Sequence, residues 1–308
     1  MKKVIDNTFS INQILETLNS GDILFLKNGI YKEKIEIIKD GITIIGESKE
    51  NVILSNNDYF HKIMSDWNEC NTFRTYTVYI GADNITLENL TIENTSTPSE
   101  IYGQAVALHA DGNNLIYNNI IIRSAQDTIF TGPLPLDLIE RHEGFLREMF
   151  LKGTRSVQIY NNCDIYGDVD FIFGCAQALF NRCNIISIAD KIKKNHYISA
   201  PAHYKDDPFG YLFYKCNIIN EDESPLYLGR PWRDYGKAAF IDCNLGDILP
   251  CGYSNWLTHR EKTAKFYEYT KDKDLSNREK WINILNEDEA IKYVKEYLAY
   301  INYKEELI

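Results

Sequence analysis

A short pattern returns along this chain, and few folds accept it. Glu88-Asn89-Leu90-Thr91-Ile92, Asn118-Asn119-Ile120-Ile121-Ile122 and Asn161-Asn162-Cys163-Asp164-Ile165 share it. So do Asn181-Arg182-Cys183-Asn184-Ile185, Tyr214-Lys215-Cys216-Asn217-Ile218 and Ile241-Asp242-Cys243-Asn244-Leu245. A pair ending in a polar residue precedes one apolar position; another residue follows, then Ile or Leu. The apolar column reads Leu90, Ile120, Cys163, Cys183, Cys216, Cys243, at intervals of 20 to 43 residues. Repeats of this kind cannot bury an apolar face alone and must stack on one another. The strands are short and alternating, and few helical stretches separate them. The expected fold is all-β, a right-handed parallel β-helix, with the apolar column facing a shared interior.

Solenoid ends need covers, and two helices are predicted as caps. Ser10 and Gln13 resemble a capping box ahead of Ile11, Ile14, Leu15 and Leu18. Asn286 and Glu289 open a second helix, with Ile291, Val294, Leu298 and Ile301 as its apolar stripe. A 44% hydrophobic content is ample for a core, and no Pro/Gly/Ser-rich linker interrupts it, so residues 1–308 read as one domain. A net charge of −11 argues against nucleic acid and anionic membrane surfaces as partners. No apolar run approaches the ~18 residues of a membrane span. Met1-Lys2-Lys3-Val4-Ile5-Asp6-Asn7 carries no export signal, so a cytoplasmic location is expected, or secretion if a signal was removed.

Four of the seven cysteines fall in the interior column, where Cys acts as a small hydrophobe. Cys163 and Cys183 lie on successive repeats, close enough for a disulfide that a reducing compartment would oppose. No metal or cofactor is expected. There is no CxxC pair, and His61, His109, His142, His196, His203 and His259 lack ligand spacing. Most of the 21 tyrosines are expected to pack in the β-rich core. Tyr166, Tyr204 and Tyr227 are candidates for lining a cleft.

The repeat register also aligns two carboxylates. Asp127 lies seven residues after Ile120, and Asp170 seven after Cys163. If the two apolar residues share a column, the two aspartates share another, on consecutive coils. Carboxylates one rung apart resist joint ionisation; one holds its proton to higher pH, and the pair titrates as a unit. That suits an acid beside a nucleophile. The same offset from Cys183 gives Asp190, so the count does not by itself assign function. Asp170 sits in Gly167-Asp168-Val169-Asp170-Phe171-Ile172-Phe173-Gly174, where a carboxylate is costly unless paired or used. Gln126 beside Asp127, and Arg230 and Trp232 in Leu228-Gly229-Arg230-Pro231-Trp232, complete the parts of a carbohydrate-active site.

These three stretches, together with Gly29-Ile30-Tyr31-Lys32-Glu33 and Gly103-Gln104-Ala105-Val106-Ala107-Leu108, resemble the motifs of the pectin methylesterases, in that family's order. The resemblance runs from about Gly29 to Trp281. It implies a carboxylic ester hydrolase acting on methylated galacturonan or oligogalacturonides, expected as a monomer. Asp170 would be the nucleophile and Arg230 its partner. Asp127 would be the proton donor and later base, while Gln104 and Gln126 would bind the oxyanion. Trp232, Phe173 and Val169 would form the apolar walls around the sugar. Structural alternatives remain: a buried Asp170–Arg230 pair, and an amide ladder for the glutamines. Tyr253 stands where the family commonly has tryptophan, the segment after Tyr267-Glu268-Tyr269 is short and charged, and Pro133–Phe150 is an insertion.

The competing readings are an inactive polysaccharide-binding β-helix and a lyase or polygalacturonase on the same fold. The Asn-Thr-Asp and Gly-His-Gly motifs of a polygalacturonase are missing, and the chain's Asp-Asp pair, Asp206-Asp207, stands without them. Asp168 and Asp170 suggest a calcium pair, but Phe171-Ile172-Phe173 adds no oxygen ligand. A Gly-x-Ser-x-Gly elbow is also missing, and His142-Glu143 lacks the second His of a zincin.

Overall fold

The computed structural model describes residues 1–134, 155–189, 192 and 194–303. Asp190, His142 and the insertion beyond Leu134 lie outside the described residues. Among those described, every strand pairing within three long sheets is parallel: eleven strands in sheet I, eight in sheet II and seven in sheet III. From Ile23 to Gly229 the chain visits sheet I, then II, then III, and repeats the round. This is a parallel β-helix.

The repeated pattern marks the corner between sheets I and II. The residue before each column position takes a left-handed backbone: Asn89, Asn119, Asn162, Arg182, Lys215 and Asp242, with φ of 50 to 58°. Asparagine tolerates that region better than most residues, which explains the early pairs. The corner also builds a polar ladder. Asn119 Nδ2 donates to Asn89 Oδ1 (2.7 Å), and Asn161 Nδ2 to Asn118 Oδ1 (3.0 Å). Column residues Leu90, Ile120, Cys163, Cys183 and Cys216 are fully buried. All seven cysteines are free. Each column thiol instead donates to a carbonyl of the preceding coil, as in Cys183 Sγ to Tyr160 O at 3.3 Å.

Inside sheet I, register stacks five rings: Tyr117, Tyr160, Phe180, Phe213 and Phe240. Successive centroids lie 4.5, 4.7, 4.6 and 4.2 Å apart. Their alternating neighbours Ile159, Leu179, Leu212 and Ala239 face outward.

The first helix, Ile11–Leu15, buries Ile11, Leu15 and the following Leu18 in the core of the first coil. Ser10 Oγ accepts from Gln13 N at 3.4 Å, but the carboxylate at this helix start belongs to Glu33, which accepts from Ile11 N at 2.5 Å. The C-terminal helix, Glu287–Tyr300, has the Asn286/Glu289 capping box. It does not cap the far end. It lies across the outer face of sheet I and buries Ala290, Val294, Tyr297 and Ile301 there. Ile291, expected on the apolar stripe, is 47% exposed, because the sheet takes the neighbouring helix face. The far end is covered by Leu275, Trp281 and Ile282 against Phe266 and Tyr253.

Phe213 touches rings above and below, so Phe213→Ala should cost about 3–5 kcal/mol in urea denaturation. Cys216→Ala, which deletes one sulfur from the column, should cost less than half as much.

Candidate active site

The in-register parallel pairing of sheet III sets the site. Ile129 pairs with Ile172 and Phe130 with Phe173, so Asp127 and Asp170 hold the same rank on adjacent rungs. Both have a left-handed backbone, φ 62° and 50°. Aspartate is among the residues that accept this conformation. At Asp170 the pairing with the following strand also shifts register, between Val169 and Ile172. Such a bulge re-aims one side chain. Phe171 and Ile172 both enter the core, while Asp170 is turned out to the cleft.

Gln104 and Gln126 form a parallel bridge on neighbouring rungs and line the same cleft. Arg230 follows the strand Leu226–Gly229. Gly229 passes so close to Ser199 that a Cβ would meet its Oγ at 2.2 Å, so no side chain fits. Arg230 then meets Asp170 with a two-pronged grip: Nε to Oδ1 at 2.8 Å and Nη2 to Oδ2 at 2.6 Å. Such a fork is among the stronger polar contacts. The guanidinium lies between two rings, 3.8 Å from the centre of Tyr197 and 3.7 Å from that of Trp256. Tyr227 stacks on the far side of Tyr197 at 4.8 Å.

The two carboxyls differ in environment. Asp127 is held well above the usual carboxylate range by burial first, then by the charges of Asp170 and Asp168. Asp170 is also raised by burial, but the hydrogen bonds and charge of Arg230 pull it back. Asp170 is therefore the one that ionises first.

The structure brings Gln104, Gln126, Asp127, Asp170, Phe173, Arg230 and Trp232 into one cleft. Trp232 meets Phe173 edge-on at 5.6 Å. Val169 is not part of this lining; it sits beside the cleft, its carbonyl accepting from Asp127 N at 3.0 Å. Thr72, Phe73, Ala200 and Trp256 complete the walls and were not singled out from sequence. Tyr253 is 1% exposed in the core, so its replacement of a tryptophan does not shape the cleft. Of the three candidate tyrosines, only Tyr227 touches the site's periphery, through Tyr197. Tyr166 lines a separate groove with Arg123 and Glu221, and Tyr204 lies under Arg155. Among the described residues no cluster of three His, Cys, Asp or Glu side chains is arranged to hold a metal. Asp168 and Asp170, weighed above as a calcium pair, each face a cation of the chain itself, Lys194 and Arg230.

The pectinesterase family model matches residues 3–134 and 140–301. The chain belongs to the pectinesterase family. It is 28% identical to a pectinesterase of Arabidopsis thaliana over 90% of this chain and 69% of that protein. It is also 28% identical to a pectinesterase/pectinesterase inhibitor of Prunus persica, over 88% of this chain but 49% of that longer protein. The chain thus spans about half the length of some of the curated relatives it matches. The solved pectin methylesterase from carrot has the same fold, with a TM-score of 0.76, 20% identity, and coverage of 98% of this chain and 96% of that one.

The raised Asp127 carries a signed consequence for stability. The folded chain keeps a proton there that the unfolded chain releases near pH ~4. The stability this confers is full below that pH and is lost as pH rises toward the folded value. Asp127→Asn, which needs no proton, should therefore raise the urea midpoint at pH 7 and leave it unchanged near pH 3.

Proposed function

We propose that this chain is a pectin methylesterase, hydrolysing C6 methyl esters of homogalacturonan or oligogalacturonides and releasing methanol. One observation carries the reading. A buried Asp127, its carboxyl pushed above the usual range, stands one rung from an Asp170 gripped by Arg230, beside two amides on adjacent rungs.

That arrangement supports the following sequence of steps. An Asp170 oxygen attacks the ester carbonyl carbon, and charge passes to the carbonyl oxygen. Amide N–H groups of Gln104 and Gln126 receive the oxyanion. The intermediate collapses, the bond to the methoxy oxygen breaks, and Asp127 gives its proton to form methanol. An anhydride now joins Asp170 to the sugar's C6 carbonyl. Water attacks it, Asp127 takes the water's proton, and Asp170 leaves as a carboxylate. The galacturonic acid formed is released and gives its remaining proton to solvent, and Asp127 is again protonated. Arg230 keeps Asp170 ionised in the free enzyme and accepts it back as the leaving group. Trp232 and Phe173 offer apolar surface for the sugar face and the methyl group.

Methanol release from methylated oligogalacturonides tests the reading. Asp170→Asn should lower kcat at least ~1000-fold, and Asp127→Asn by ~100-fold or more. Gln126→Ala should cost about 100- to 1000-fold, the usual loss for one oxyanion donor. Arg230→Lys should be severe, because an ammonium lacks the planar fork and stacks less well between two rings. An unsaturated product absorbing in the ultraviolet, or new reducing ends, would point instead to a lyase or a glycosidase. Binding without any turnover would leave a polysaccharide-binding protein.

A further inference from the structure

Beside the two aspartates lies a third carboxylate that the mechanism leaves unused. Asp168 is 3% exposed and two residues from Asp170. One of its oxygens accepts from Val169 N at 2.5 Å. The other accepts from the Ser99 hydroxyl and lies 2.9 Å from the Lys194 ammonium. Lys194 also donates to Ser99 Oγ, closing a triangle of three side chains from three separate segments. Ser99 begins the helical turn Ser99–Tyr102, which leads through Gly103 into Gln104. Lys194 precedes the strand His196–Pro201, which pairs with the Asp170 strand.

Resting on the esterase reading, we propose that Lys194 is a positioning residue for the reaction. Its ammonium joins Ser99 to Asp168, holds the Gln104-bearing turn against the Asp170 strand, and offsets the negative charge of Asp168 beside the catalytic pair.

Among the described residues, Asp168 on the same strand segment and Arg230, from the end of the next sheet III strand but one, act on that pair directly. Lys194, which precedes the strand between, acts through Asp168, and Glu100 on the turn lies 3.9 Å from Lys194. The charge of Asp168 pushes both Asp127 and Asp170 upward. Catalysis needs Asp170 ionised and Asp127 protonated, so the acidic limb of the rate profile belongs to the first and the basic limb to the second. Removing the ammonium that offsets Asp168 leaves that charge unopposed and raises both; removing Asp168 lowers both.

The experiment is the pH dependence of kcat/KM for methanol release from a methylated oligogalacturonide. Lys194→Gln should move the whole bell to higher pH by about half to one unit, and Asp168→Asn to lower pH by a similar amount. Lys194→Arg should keep the wild-type profile. The Asp168→Asn arm reads the same charge balance with Lys194 in place, should Lys194→Gln fold poorly. An active Lys194→Gln enzyme with an unmoved bell would overturn the assignment, as would shifts of the same sign in both variants; either leaves the esterase reading intact. Absence of methanol release by the wild-type enzyme would instead remove the esterase reading itself.

Discussion

Parallel strands in register place each residue beside its counterpart one coil away, about 4.8 Å distant. Everything in this molecule depends on that rule. It stacks Tyr117, Tyr160, Phe180, Phe213 and Phe240 into one interior file. It lines up asparagines as a ladder at one corner. It also brings two carboxylates together that lie 43 residues apart in sequence. An interior in which like meets like suits rings, thiols and amides. For two acids it is unfavourable, and the site is built from that unfavourable pairing.

Register alone would give two equivalent aspartates. The surroundings divide them. Asp170 receives both prongs of Arg230, whereas Asp127 has burial and two neighbouring anions. The left-handed backbone at both positions turns side chains outward from a strand whose next residues fill the core. The cost of that conformation is modest for aspartate and supports a function for it.

Much of this was legible before any coordinates. The Leu90-to-Cys243 column announced a solenoid because each coil must repeat one apolar position, and the equal offsets of Asp127 and Asp170 followed from the same count. Elements fixed by packing between distant segments were not legible. Ile291 fits an apolar stripe on paper, but the helix turned Ala290 and Tyr297 inward, because the outer face of sheet I selected them. The resemblance groups Val169 with the cleft walls, whereas the lining takes Phe173 and Trp232 and has Val169 beside it. Trp256 and Lys194 reach the site from loops whose paths no local pattern encodes. Tyr253 stands out in the sequence as a departure from the family pattern, yet Trp256, three residues on, is the indole that lies over Arg230.

The aromatic rings on either side of Arg230 have a consequence of their own. With Tyr197 on one face and Trp256 on the other, the guanidinium meets other groups only along its edge. Two of its edge nitrogens are already committed to Asp170. Both faces of the guanidinium are covered, so its hydrogen bonds lie in its own plane. The two rings thus fix the plane in which the arginine can meet a carboxylate, and that plane is the one Asp170 occupies.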